Sequence, residues 1–481
     1  MNSSRRSPFD YLRLGLIGIL VGSAVCIGGC GDRHAEAAQV VASGQTQGIA
    51  PLAADDVSIL FPAPTRAADF ANLIAVRDLT TPDPKDPTKR DPVWPDTVFQ
   101  RFLGIAASPE AQVAGTQVRI GLPPEAQLIG NWYVAGVRID AGAPGLSSDI
   151  RGQFGQTAEI RLIIQPVTRK ADGTPNVLDI AGHLIFDFST QDRPAQTDCG
   201  PRRVPDLATF QRIVTDVAAI RTKLSSGQLG TDKVTTVGVP LGIHPGLADA
   251  TTVSGMRQEI VSFLEKYISA NPHLDAMAIA GLPSGAPAPW IFLSMAEVPG
   301  GVLPSLPNGG FAPVKGPTLD GKEFAQMLQP AAGGFQVVPE PHTNNLNAIT
   351  CQNAAVPANP PIADRRGDST SEVFVNPAPA PDKTKAILDL IADPTKSHFF
   401  NTDCVSCHTE TRRTMDIFKV SDIPGIDSRA LPKDSWNVRN FGWSPAGGLQ
   451  ATVTRRTAAE TAAVLTFINS QVLPKQAALK R

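Results

Sequence analysis

The sequence predicts an α+β, multidomain chain: a middle α+β region built on an antiparallel sheet, followed by a separate, all-α C-terminal domain. Three observations lead there. Between residues 117 and 188, β-branched and aromatic runs bounded by Gly, Pro and Asp look like successive strands. From residue 206 the apolar spacing lengthens to that of a helix. Residues 353–381 are crowded with proline, which reads as a linker ahead of a last folded unit. A length of 481 residues is also too great for one ordinary domain.

The N-terminus reads as an export signal. Arg5, Arg6 and Arg13 precede an uncharged apolar run, 14–29, too short for a membrane span and suited to a secretory signal. The run ends in Ile27-Gly28-Gly29-Cys30, which resembles the lipobox of bacterial lipoproteins. That resemblance implies removal of residues 1–29 and a lipid on Cys30. Gly31, rather than Asp, by the same resemblance favours the outer membrane, with the chain facing the periplasm. Small and polar residues over 30–55 then read as a flexible tether.

Residues 56–352 form the α+β region. Short helices are expected over 67–79 and 96–107, separated by the proline-broken loop 80–87. Strands are expected over 117–122, 132–139, 159–167 and 177–188, helices over 206–225 and 253–268, and strands again over 276–281 and 289–298. Strands mostly precede helices rather than alternating with them, the order of an α+β fold. This region carries no P-loop, His-Glu-x-x-His or Gly-x-Ser-x-Gly, and His183, His244, His273 and His342 are scattered, each read as structural. The net charge is −2 without a basic block, so nothing electrostatic points to nucleic acid.

The chemistry lies in the last unit, 382–481. Cys404-Val405-Ser406-Cys407-His408 spaces two thiols to reach the two vinyl groups on one edge of a haem, and sets a histidine under the iron. An export signal supplies the compartment in which such a haem is attached. A thioredoxin-like reading lacks the preceding strand, and a zinc reading lacks a second Cys-x-x-Cys. One haem c is therefore expected, with Cys404 and Cys407 as covalent attachment points and His408 as axial ligand.

From residue 382 onward the chain resembles a single-haem class I cytochrome c. A helix over 382–392 precedes the motif, and one over 458–472 follows, with Thr457 as expected N-cap and Glu460 completing a capping box. The resemblance implies an all-α fold whose first and last helices cross over the haem. The chain departs from that family in its sixth ligand, since no methionine follows Met415. Met415, His398 and an open or otherwise ligated iron remain alternatives. Arg412, Arg413 and Arg439 are read as arginines of a solvated face. The aromatic run 436–443 either walls the haem or fills the core between helices.

Cys199 and Cys351 remain as an even pair in an oxidising compartment, compatible with a disulfide. The expected function is a lipid-anchored electron carrier serving a periplasmic or membrane redox partner. The alternatives are a peroxidase-like haem enzyme with an open iron, or a structural or assembly lipoprotein with an accessory haem.

Overall fold

The computed structural model describes residues 50–83, 86, 88–107, 112–113, 116–117, 120–141, 156–193, 202–269, 273–281, 291–297, 311–314, 325–331, 334–338, 381–397, 404–433, 439–445 and 448–473. The expected signal, Cys30, most of the tether, Cys199, Cys351, His398 and most of the 353–381 linker lie outside these residues. The described residues fall within one compact unit, Gln47–Arg481.

The fold is α+β and centred on a ten-stranded sheet that is antiparallel throughout. Its strands are β1 (Ser58–Leu60), β2 (Trp132–Asp140), β3 (Glu159–Arg169), β4 (Pro175–Val177), β5 (Ala181–Asp187), β6 (Leu274–Gly281), β7 (Ile291–Glu297), β8 (Phe311–Val314), β9 (Ala325–Ala331) and β10 (Gly334–Val338). The order is β1-β2-β3-β5-β6-β7-β9-β10, with β4 paired to β3 and β8 to β7.

Strand alternation gives the sheet two unlike faces. Along β3, Ile160, Leu162 and Ile164 are buried on one face, while Glu159, Arg161, Ile163 and Gln165 point to the other. A single helical turn, α1 (Ala54–Val57), leads into β1, and the apolar face packs against α2 (Asp96–Ala106), α3 (Leu207–Ser226) and α4 (Val253–Tyr267). Gly182 opens the approach for α2, since a Cβ there would stand 3.3 Å from Phe102 Cζ. Trp94 then meets Phe99, Phe102 and Trp132 edge to face, with ring centroids 4.8, 5.2 and 5.9 Å apart. Each fully buried side chain of this size contributes about 3 kcal/mol by removal from water. Helix α3 is defined at both ends: the Asp206 carboxylate accepts from the amides of Ala208 and Thr209, and Gly227 closes it in the left-handed conformation at φ 80°.

The second face is covered by the C-terminal segment. This comprises α5 (Pro381–Ala392), α6 (Cys404–Phe418), a hairpin of β11 (Phe441–Ser444) and β12 (Gln450–Val453), and α7 (Arg455–Phe467), which runs on through a π turn, Ile468–Val472. Trp443 is fully buried; its indole N–H donates to Phe61 O at 3.0 Å and its amide to Gln165 Oε1 at 2.6 Å. Gln165 Nε2 returns a bond to Trp443 O at 2.9 Å. Phe441, Trp443, Val464 and Ile468 belong to the same hydrophobic cluster as the sheet.

Several sequence expectations are met, and others are corrected. The strands at 132–139 and 159–167 and the helices near 96–107, 206–225, 253–268 and 382–392 are present within two residues at each end. The hairpin β11–β12 corrects the all-α reading of the last unit. The expected helix over 67–79 is two 3-10 stretches, Ala67–Asn72 and Val76–Asp78, because Ile74 and Ala75 between them pair with β2. Of the strand expected over 117–122, the described residues show Thr116–Gln117 and a bridge at Ile120, while 118–119 lie outside them. The last helix starts earlier than expected: Thr454 is its N-cap, accepting from the Thr457 amide at 3.4 Å. Glu460 is taken up by arginines instead of closing a capping box. The chain is in the fold by Leu52, whose amide donates to Asn469 Oδ1. Strands β8, β9 and β10, each carrying one Pro or Gly, were not expected from the sequence.

Candidate haem-attachment site

Helix α6 opens at Cys404. Helical spacing therefore sets residues 404, 407 and 408 on one face of its first turn, the placement two thioether bonds and an axial imidazole require. Cys407 is a free, partly buried thiol, with Asn440 Nδ2 3.9 Å from its sulfur. Burial pushes that thiol up to about 12 against the pull of Arg456. His408 is partly buried beside it.

The helix is fixed by a charged network beneath it. Glu410 is fully buried and accepts from the Arg456 amide at 3.4 Å, with Arg455 Nη1 at 3.5 Å. Burial raises its carboxyl to about 6, the Arg455 charge opposing. The Arg456 guanidinium donates to Ser397 O at 2.9 Å, Ile391 O at 3.2 Å and Glu460 Oε1 at 2.7 Å, so it ties α5 to α7. Glu460 also accepts from Arg138 Nη1 of the sheet at 2.8 Å.

The sheet face under this segment holds the groups that sequence reasoning did not bring together. Gly136, Arg138 and Asp140 of β2 align with Ile163, Arg161 and Glu159 of β3, and these with His183, Ile185 and Asp187 of β5. Arg138, Asp140, Glu159 and Gln165 are all buried. Burial lifts the Glu159 carboxyl to about 7, although Arg161 pulls the other way. His183 is partly accessible, and its ring makes no hydrogen bond among the described residues. Its basicity is held well below the ordinary histidine range by burial, then by the charges of Arg161 and His408.

The other histidines of the described region are committed elsewhere. His244 Nδ1 accepts from the Gly246 amide, and burial lowers its pKa to about 4. His273 bonds Asp187 O through Nδ1 and stacks on Phe188. Met415 lies on α6 itself, two turns beyond His408, and packs against the hydrophobic core. The taut, non-helical path that ligation by Met415 requires is not the path the chain takes. Arg413 and Arg439 are buried, which corrects their reading as solvated; Arg439 donates to Asp179 Oδ1 at 2.9 Å, and burial brings its pKa down to about 10. Of the aromatic run, Phe441 and Trp443 fill the core.

The residues present suit a haem. The sheet face under this segment carries the guanidiniums of Arg138 and Arg161, which pair with Glu460, Asp140 and Glu159 and keep one buried Nε each without a hydrogen-bond partner. No group of three or more His, Cys, Asp or Glu among the described residues could hold a bare metal ion, and no described helix is long and apolar enough to cross a membrane. Comparisons with protein-family models, curated proteins and solved structures found no match to this chain.

Proposed function

We propose that the protein is an exported, lipid-anchored c-type cytochrome that carries one covalent haem and passes single electrons between redox partners in the cell envelope. The observation that carries this reading is Cys404-Val405-Ser406-Cys407-His408 at the head of α6. Cys404 and Cys407 would hold the haem through thioether bonds and His408 would ligate its iron. The haem supplies the redox chemistry, gaining one electron from a reduced donor and losing it to an oxidised acceptor. The protein's part is to fix the haem and set its dielectric surroundings.

The lipid belongs to Cys30 and the location to the periplasmic side of the membrane, the outer membrane favoured by Gly31. The partner is a periplasmic or membrane redox protein.

Production in a bacterium that matures haem c tests the reading. The purified chain should gain the mass of one haem and keep its haem stain after denaturation. Cys404→Ala with Cys407→Ala should abolish both. Cys30→Ser should shift the protein from the membrane fraction to the soluble one. A wild-type chain without covalent haem from such a host refutes the cytochrome reading.

A further inference from the structure

Resting on the haem reading, we propose that His183 of β5 is the axial ligand opposite His408, so that the middle region completes the haem site. The sheet face supplies the geometry. His183 stands across β3 from Ile163 and across β6 from Ala278. On that face, a Cβ on Gly442 of β11 would lie 3.2 Å from Ile163 Cγ2 and 2.9 Å from Gln165 Oε1, so β11 rests on the strand next to His183. Asn440, at the start of that hairpin, reaches the Cys407 sulfur at 3.9 Å. Two contacts therefore link the attachment thiol to the cross-strand neighbour of His183.

The side chains beside His183 on its own sheet face are small. On the His183 face β6 presents Ala276, Ala278 and Ala280, each partly accessible. Larger side chains there would close the space beside the imidazole.

Competing ligands fare worse in the same frame. Met415 follows His408 on one continuous helix, about 10 Å along its axis, and so stays on the His408 side of any haem held there. His244 is bonded through Nδ1 and lines a cavity with Ile59, Met256 and Phe263, on the other face of the sheet. His273 is stacked on Phe188.

The test uses the full-length protein matured in a host that makes haem c. The wild type should give the low-spin ferric resonance signal of two imidazoles and a ferrous spectrum unmoved by CO. His183→Ala should keep its covalent haem, turn high-spin and bind CO. His183→Met should remain low-spin, with a higher potential and the charge-transfer band of sulfur ligation. Met415→Leu and His398→Ala should leave the wild-type spectrum unchanged. A wild type that is already high-spin and binds CO overturns the proposal in favour of an open iron. A His183→Ala protein with an unaltered low-spin spectrum overturns it in favour of another ligand. Either result leaves the covalent haem intact, whereas failure of the haem reading itself shows as a chain with no haem attached.

Discussion

Removing the Glu460 carboxylate should detach the C-terminal segment from the sheet at its charged centre. Glu460 accepts from Arg138 Nη1 at 2.8 Å and from Arg456 Nε at 2.7 Å, so one side chain of α7 joins β2 to the anchor of α5. Its partners are 7 and 8% exposed and Glu460 itself 24%. Breaking a buried pair by deleting one partner typically costs 3–5 kcal/mol, because the charge left behind has lost both water and counter-ion. Asp140 at 3.7 Å from Arg138 and the carbonyls around Arg456 soften that loss. Glu460→Ala is therefore expected to cost about 2–4 kcal/mol, read as a lower urea midpoint. The double cycle with Arg138→Met should return a coupling of at least about 1 kcal/mol.

Acid should act in the same sense. Burial would raise the Glu460 pKa, but Arg456 and Arg138 outweigh it and hold the carboxyl well below its usual range. A carboxyl depressed in the folded state adds stability above its unfolded pKa and loses it as pH falls. The wild type should accordingly weaken below the ordinary value of 4.5, and Glu460→Ala should lose part of that acid sensitivity. A variant within about 0.5 kcal/mol of wild type, with no coupling to Arg138, would refute the reasoning.

Three further outcomes follow from particular residues. Thr454→Ala removes the observed N-cap of α7 and should cost about 1 kcal/mol in chemical denaturation; an effect near zero would return the cap to Thr457. Gly442→Ala meets both a φ of 142° and the 2.9 Å contact with Gln165, so about 2 kcal/mol or more should be lost, measurable as a lower melting temperature. Asp55 carries a carboxyl raised to about 8, chiefly by burial, with repulsion from Asp56 and Asp427 adding to it and the Gly242 amide opposing. A raised acid contributes stability below its unfolded pKa and loses it as pH climbs to the folded value. Asp55→Asn should flatten the decline in stability between about pH 4 and pH 8, seen in unfolding curves across that window.

The strands at the centre were legible because β2 and β3 combine β-branched residues with turn signals, and α3 because its caps are local. Cys404-Val405-Ser406-Cys407-His408 stood out for a different reason: a haem-attachment reading rests on local spacing alone, not on the rest of the chain. The covered position of His183 was not legible, because a histidine among alternating residues of a strand carries no sign of what covers that strand. The alternation Glu159, Arg161, Gln165 reads as a water-facing side, yet most of it is buried under residues almost three hundred positions later. Arg439 misled in the same way, its partner Asp179 lying far away in sequence. The early breaks at Ile74 and Ala75 came from pairing with a distant strand, which local propensity does not encode.

The charged sheet face also bears on how the chain comes apart. Much of the surface that α7 and the hairpin cover on β2 and β3 is arginine, glutamate and glutamine, all groups that water solvates well. Lifting this lid exposes less oil than peeling α2 or α3 from the opposite face would. Partial opening should therefore begin at the C-terminal segment and leave a particle that stays dispersed rather than clumping. Hydrogen exchange should find amides of β11 and α7 released before those of β3 and β5. A lid of that kind can close late in folding, after the strands it covers have already paired.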